Sequence, residues 1–351
     1  MRCDGCGENG DVCDENGDGC GEYDVVVIGD LFCDISTNPL RGYPAKDKQE
    51  ACDFMLSLGG QAGNCAAACG ALGLRTAFIC KCGDDPISHW LLAFLRNNGV
   101  ECFSSVKMGG KPGITVSIVF DDGSRSMLSD RGANMELCSD DIDLSLVERA
   151  RFVMRAGHWN TECLFDANRM ILEHAKASGA FTGVDIGWSA YKGWTEEAKK
   201  SVFDILPFTD FLFVNEAELD ALCSSQQQRH STQQQRPRRT DSERNKSGIN
   251  VENVNEIISR GGSNVIIHRG SEGSAWISEE IEVFCQAFEV PIVNPTGAGD
   301  VFNAAFICAF LAGESPESCL KFANACAAVF LSMRNREKYP TIDDVRKFLM
   351  R

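Results

Sequence analysis

The sequence predicts an α/β fold built on a mostly parallel central sheet, and three stretches carry that prediction. Residues 24–28, Asp-Val-Val-Val-Ile, contain a continuous β-branched run, the mark of a strand covered on both faces. From Arg151 onward, apolar strand-like runs alternate with stretches of helical periodicity, as the crossovers of a parallel sheet require. Further on, residues 290–293 read as a short strand entering Asn294-Pro295-Thr296-Gly297-Ala298-Gly299-Asp300. Phe302, Ala305, Phe306, Ala309 and Phe310 then recur at helical spacing.

A chain of 351 residues, 44% hydrophobic and 9% aromatic, holds enough apolar mass for one large α/β domain with embellishments or for two small ones. Its formal net charge of −16 argues against a nucleic-acid surface. Neither a long apolar run nor a secretory signal is visible, so no membrane span is expected. Among the eighteen cysteines, Cys65, Cys69, Cys308 and Cys326 fall in Ala-rich helical patterns, and Cys33 and Cys80 in strand-like runs. There a thiol behaves as a small buried hydrophobe. Such scatter suits a reducing compartment, and a cytoplasmic location is expected.

Residues 1–22 are almost all Gly, Asp, Glu, Asn and Cys, which cannot bury a core, so a disordered tail is expected. Cys3, Cys6, Cys13 and Cys20 invite a zinc reading, but the second pair is spaced too widely for a tight knuckle. Residues 14–19 imitate the start of a calcium loop, yet Val25 stands where a bidentate Glu is required. Order begins at Tyr23. The strand over 24–30 leads into Leu31-Phe32-Cys33-Asp34, placing Asp34 just past the C-terminal end of a central strand, where open α/β sheets bind ligands. Leu58-Gly59-Gly60-Gln61-Ala62-Gly63-Asn64 precedes a helix of small residues over 65–74, and its paired glycines supply the backbone freedom of a hinge. A strand over 76–82, the turn Gly83-Asp84-Asp85 and a helix over 87–98 follow. Residues 113–120 alternate as a half-exposed strand, Asp121-Asp122-Gly123 turns it, and 124–130 returns.

Beyond Arg151, strands at 152–156, 181–186, 211–214 and 264–268 alternate with helices at 164–178, 196–206 and 251–260. Polar groups stand at the strand ends. Asp185-Ile186-Gly187-Trp188 follows one strand and Asn215-Glu216-Ala217-Glu218 the next, with Asn215 and Glu218 spaced as a helix N-cap and its capping-box partner. Residues 224–248 contain two glutamine runs and Arg-Pro-Arg-Arg without apolar anchors, the composition of a disordered insertion. His268-Arg269-Gly270-Ser271-Glu272-Gly273 forms a glycine loop after the 264–268 strand, and helices over 320–333 and 342–350 close the chain. Asn324 on the first of these apolar helices is a costly choice unless hydrogen-bonded.

The chemistry concentrates where Gly297, Ala298 and Gly299 meet a helix N-terminus with Asp300 in its first turn. Bare N–H groups and the helix dipole attract an anion there. A carboxylate beside that seat would repel the anion, unless the acid takes a proton from a nucleophile while the N–H groups hold a phosphoryl group in transit. The same residues would also serve a plain turn and helix cap.

Taken together, these motifs resemble the two signatures of the ribokinase-like (PfkB) carbohydrate kinases. The N-terminal one is matched by Gly59-Gly60, Asn64 and then Gly83-Asp84-Asp85, the C-terminal one by residues 294–300. The resemblance implies a ribokinase-like three-layer α/β/α fold, with residues 23–351 as one kinase domain and a small β-sheet lid formed from about 35–57 and 112–131. It implies ATP-dependent phosphorylation of a sugar hydroxyl, with ATP and magnesium as cofactors. Asp300 would be the general base and the N–H groups of Gly297, Ala298 and Gly299 the anion hole. Asp34, Gly60 and Asn64 would orient the sugar, and Arg131, before Gly132-Ala133-Asn134, is a further substrate-contact candidate. Asp185, Asn215, Gly270, Gly273 and Asn324 would serve the nucleotide, Asn324 at the adenine. Glu218, with Asn215, would order magnesium-bound water. The lid sheet of relatives commonly builds a dimer interface, so the resemblance allows a homodimer through that sheet as well as a monomer; no nucleic-acid or membrane partner is expected.

Three departures from the family pattern stand out. Gly187 occupies a position where relatives often carry Asn, and His268 replaces a Thr of the nucleotide loop. Asn294 replaces an Asp whose region binds a monovalent cation, which predicts weak or absent potassium dependence. Two other readings share the motifs: a nucleoside kinase of the same family, with Phe32 stacking on a base, and a sugar- or nucleotide-binding regulatory protein without catalysis.

Overall fold

Strand β1 (Tyr23–Gly29) shows why the fold has three layers: Val25 and Val27 face one side of the sheet, Val26 and Ile28 the other, and all four are sealed from solvent. The computed structural model describes residues 22–224, 248–333 and 338–351, apart from Gly123 and Asn294. The expected tail up to residue 21, its four cysteines, and residues 225–247 of the expected insertion lie outside the described residues.

From β1 the chain enters β2 (Phe32–Thr37) and β3 (Phe54–Gly59), then α1 (Gln61–Ala71), β4 (Thr76–Gly83), α2 (Pro86–Asn97) and β5 (Val100–Lys107). The hairpin β6 (Gly113–Val119) and β7 (Arg125–Asp130) is followed by the short α3 (Leu144–Glu148). Regular alternation then runs through β8 (Ala150–Ala156), α4 (Phe165–Ala177), β9 (Phe181–Asp185), α5 (Glu196–Phe203), β10 (Phe211–Asn215), α6 (Glu216–Cys223), α7 (Val251–Ser259) and β11 (Asn264–His268). Strands β12 (Ser274–Ile277) and β13 (Glu282–Cys285) precede α8 (Ala298–Leu311), α9 (Pro316–Ser332) and α10 (Ile342–Leu349).

The large sheet has the order β13-β12-β11-β10-β9-β8-β1-β4-β5, parallel except where β12 and β13 add antiparallel at one edge. Chain direction across the sheet reverses between β1 and β8, the switch point at which such sheets form a crevice. One face buries α1, α2, α8, α9 and α10 around Phe78, Phe152, Phe213 and Phe306. Helices α3 to α7 cover the other face in two clusters, around Ile28 and Ile171 and around Val214 and Ile267. All fourteen described cysteines are free thiols, and among the described residues no helix is long and apolar enough to cross a membrane.

The small sheet has the order β3-β2-β6-β7, with β2 and β6 parallel and the outer pairs antiparallel. Its register sets Asp34 opposite Ser57 and Ser36 opposite Ser117, on the face that looks into the molecule. The alternate row, Leu56–Ile35–Val116–Leu128, lies on the outer face, with Leu56 51% and Leu128 69% exposed.

Several expectations change. Residues 290–293 are not a strand: Ile292 and Val293 are exposed, and the Val293 N–H donates to the Leu331 carbonyl at 2.9 Å, following α9 instead of a sheet. Helix α1 starts at Gln61, not at residue 65, because Gly60 caps it in a left-handed conformation (φ 87°). Asp34 belongs to the small sheet rather than to the end of β1. Strands β5, β12 and β13 are additions: β5 and β13 are half-exposed edge strands without a clear period, and β12, though buried, is only four residues long.

Candidate active site

The N-termini of α1 and α8 meet under the small sheet, and each is shaped by a glycine. Gly297 caps α8 with a left-handed backbone (φ 84°), and a Cβ there would lie 3.1 Å from Asn64 Nδ2. The first N–H groups of a helix have no intrahelical acceptor, so this end presents donors. Of these, the Ala298 N–H makes a long 3.4 Å contact to the Pro295 carbonyl. Asp300 sits in the first turn of α8, 8% exposed, and its Oδ2 accepts from Asn64 Nδ2 at 2.9 Å. Burial pushes its pKa well above the carboxylate range, and the nearby Asp185 charge pushes it further.

One turn away on both helices lies a second, parallel bridge. Gln61 Nε2 donates to Asp185 Oδ1 at 2.8 Å, and Asn303 Nδ2 donates to Asp185 Oδ2 at 2.6 Å. Asn303 Oδ1 then meets His268 Nε2 at 2.9 Å. Because the Asn303 amide nitrogen faces a carboxylate, its oxygen faces the histidine, which assigns the ring hydrogen to Nε2. Burial lowers the His268 pKa to about 4, so the ring is neutral. The histidine expected in place of Thr is thus tied to α8.

Asp185, expected at the phosphates, is buried at the end of β9 with both oxygens occupied, and the Gly187 N–H adds a third donor at 3.1 Å. Its pKa is raised by burial and then by Glu218. Glu218 and Asn215 form a capping box on α6: the Asn215 side chain accepts from the Glu218 N–H, and Glu218 Oε2 accepts from the Asn215 N–H, each at 2.9 Å. Burial also raises the Glu218 pKa, so a cation beside these two acids would favour their ionised forms. Among the described residues no cluster of three metal-ligating side chains occurs.

On the lid side, the Asp34 carboxylate lies over Gly59, where a Cβ would be 2.3 Å from its Oδ1. Gly60 likewise leaves room for the Asp30 carbonyl. Burial and the Asp30 charge raise the Asp34 pKa to about 7, against the pull of Arg125. Asp30 is buried beneath, accepting from the Ala62 N–H at 2.9 Å and from Asn160 Nδ2 at 2.7 Å. Arg125 of β7 reaches across to donate to Thr296 Oγ1 in the glycine turn. Between the two walls lies a cavity of about 850 Å³, lined among others by Asp34, Ser36, Asn64, Arg125, Thr296 and Tyr339.

The nucleotide-side expectations are placed less compactly. Gly270 and Gly273 form the turn after β11, but they do not line the cavity. The Asn324 amide donates to the Cys285 and Gln286 carbonyls at 3.2 Å each, which satisfies it against the β13 edge. Arg131 pairs with Glu162 at 2.9 Å and stacks over Tyr191, which leaves its side chain only 11% exposed and engaged within the protein. Phe32 is buried against Gly113 and is not available to stack on a ligand. Asn294, which carries the potassium expectation, lies outside the described residues.

Four residues of the site escaped the sequence reading: Asp30, Gln61, Asn303 and Tyr339. For three there was a signal. Asp30 precedes Asp34 by four residues, Gln61 precedes Asn64 by one helical turn, and Asn303 follows Asp300 by one turn in an otherwise apolar helix. Tyr339 had none.

Residues 23–336 match the family described as pfkB family carbohydrate kinase. A 5-dehydro-2-deoxygluconokinase of Bacillus licheniformis is 23% identical over 341 residues, covering 93% of this chain and 96% of that protein. A probable fructokinase-3 of Arabidopsis thaliana is 26% identical over 297 residues, covering 80% of this chain and 79% of its own. In structure, an Arabidopsis thaliana ribokinase complexed with ribose and ATP superposes with a TM-score of 0.74 at 25% identity, over 93% of this chain and 98% of the other.

Proposed function

The chain belongs to the pfkB family of carbohydrate kinases, and on that premise we propose that it transfers the γ-phosphoryl group of ATP to a sugar hydroxyl at the junction of α1, α8 and the small sheet. The observation that carries this reading is the buried Asp300 in the first turn of α8, next to a cavity whose opposite wall carries Asp34.

Asp34 accepts hydroxyl hydrogens from the acceptor, and Asn64 offers the N–H that Asp300 does not use. Asp300, with a pKa raised by burial, is a stronger base than a solvated carboxylate and takes the proton of the attacking hydroxyl. The N–H groups of Gly297, Ala298 and Gly299 and the α8 dipole stabilise the charge that develops on the transferred group. Magnesium, when bound with ATP, neutralises phosphate charge; Glu218 and Asn215 would hold it through water, with Asp185 behind them. The glycine loop at Gly270 and Gly273 is assigned to the nucleotide phosphates, and the Asn324 region to the adenine. The polar inner face of the small sheet closes over the acceptor and excludes water, which limits ATP hydrolysis. The apolar outer face supports a homodimer formed through this sheet.

ADP release with magnesium-ATP, measured across pentoses, hexoses, sugar acids, sugar phosphates and nucleosides, tests the proposal. Turnover on one acceptor is expected, with kcat lowered by about 10²–10⁴-fold in Asp300→Asn. ATP binding without turnover on any acceptor would instead support the regulatory reading.

A further inference from the structure

Tyr339 follows Asn64 by 275 residues yet holds its side chain. It is 5% exposed, its ring stacks on Phe330 with centroids 5.3 Å apart, and Phe94 meets it edge-on at 6.2 Å. These contacts fix where the hydroxyl points. It donates to Asn64 Oδ1 at 2.6 Å, and the other end of the same amide donates to Asp300 at 2.9 Å.

An asparagine amide turns over readily unless its two ends meet different chemistry. An ionised Asp300 only accepts, so Nδ2 faces it, and Oδ1 then requires a donor, which Tyr339 supplies. With the amide reversed, two oxygens would confront each other across the base. That matters because the ionisable groups facing Asp300 all act in one direction: the acids Asp185 from β9 and Asp30 from β1, and the thiol Cys65 from α1, each favour its protonated form. Against burial and these three, the Asn64 hydrogen bond is the contact that favours the ionised carboxylate.

We propose that Tyr339 is a positioning residue for phosphoryl transfer, locking the Asn64 amide in the one orientation that gives Asp300 a hydrogen-bond donor and keeps it aimed as a base. This rests on the reading of Asp300 as the base. Tyr339 does not touch the reacting atoms. It works through Asn64, and the aromatic stack with Phe330 carries the constraint from α9 to the catalytic turn.

The test is Tyr339→Phe in the full chain, which keeps the ring and its stacking and removes one oxygen. With the acceptor found by the substrate panel, kcat is expected to fall roughly tenfold, the size of one lost hydrogen bond, while KM for ATP stays within about twofold. The acid limb of the kcat–pH profile moves to higher pH, because Asp300 loses part of what favours its ionised form. In an Asn64→Ala background, Tyr339→Phe has no further effect, since the two act as one unit. Unchanged kcat and pH profile would overturn the inference. So would a raised KM for the acceptor with kcat unchanged, which would assign Tyr339 to substrate binding. If wild type turns over no acceptor, the sugar-kinase reading fails separately. The inference is then read on the resting protein from the carbon-13 carboxyl titration of Asp300, assigned with Asp300→Asn. A higher midpoint in Tyr339→Phe supports it, and superimposable curves overturn it.

Discussion

Asp300 and Asp34 are both carboxylates whose burial raises the pKa, yet they stand in walls of opposite construction. The wall of Asp300 is made of helix ends packed on the central sheet, and its polar side chains are locked in pairs. Asn64 joins Asp300 to Tyr339, and Asp185 joins Gln61 to Asn303. The wall of Asp34 is a four-stranded sheet with polar side chains inside and an apolar row outside that is exposed at its ends, Leu56 and Leu128. Buried polar groups in fully partnered networks specify one geometry. The small sheet has fewer such side-chain links and leaves the ends of its outer apolar row in solvent, so it is expected to adjust more easily. The difference assigns geometry-critical chemistry to one wall and adaptable recognition to the other.

That assignment breaks most readily at Gly297. Gly297→Ala puts a Cβ where the backbone is left-handed and where Asn64 and Phe330 already press, at 3.1 and 3.5 Å. A fall in kcat of about 10²-fold is expected, comparable to losing one donor of an anion hole, with the melting temperature as the control for folding. An effect confined to KM would erase the contrast between the walls.

Asp34→Asn is the matching change in the lid. The KM for the acceptor should rise by roughly tenfold to a hundredfold, the loss of a charge-assisted hydrogen bond, with kcat at saturation little altered. Only the ionised carboxylate accepts two hydroxyl hydrogens, so wild-type acceptor KM rises as pH falls through about 7, and Asp34→Asn flattens that dependence. Initial-rate measurements from pH 5.5 to 8.5, roughly 1.5 units either side of the Asp34 value, check both statements.

The smallest catalytic effect is expected on the outer face of the lid. Leu128→Glu places a charge at the exposed end of the row Leu56–Ile35–Val116–Leu128 without touching the polar inner face. If that row joins two copies, sedimentation velocity should show a dimer in wild type and a monomer in the variant, with kcat retained. A wild-type monomer would remove the homodimer proposal.

The sequence by itself determined what depends on neighbours in the chain. The β-branched run of β1 and the alternation from β8 to β11 were legible because apolar periodicity is a local property. The glycine turn before α8 and the Asn215–Glu218 capping box were legible for the same reason, since each is written within a few residues. The need of Asn324 for partners was also legible, though not that the β13 edge would provide them. Tertiary structure decided the rest. Whether Asp34 ends a central strand or enters a lid depends on β6 pairing beside β2, and the small sheet's inside-out pattern depends on what covers each face. The links Gln61–Asp185, Asp185–Asn303 and Asn64–Tyr339 span 124, 118 and 275 residues. A side chain's own sequence context says that it is polar. Which donor meets which acceptor is settled only when packing brings helices α1, α8 and α9 to one end of the sheet.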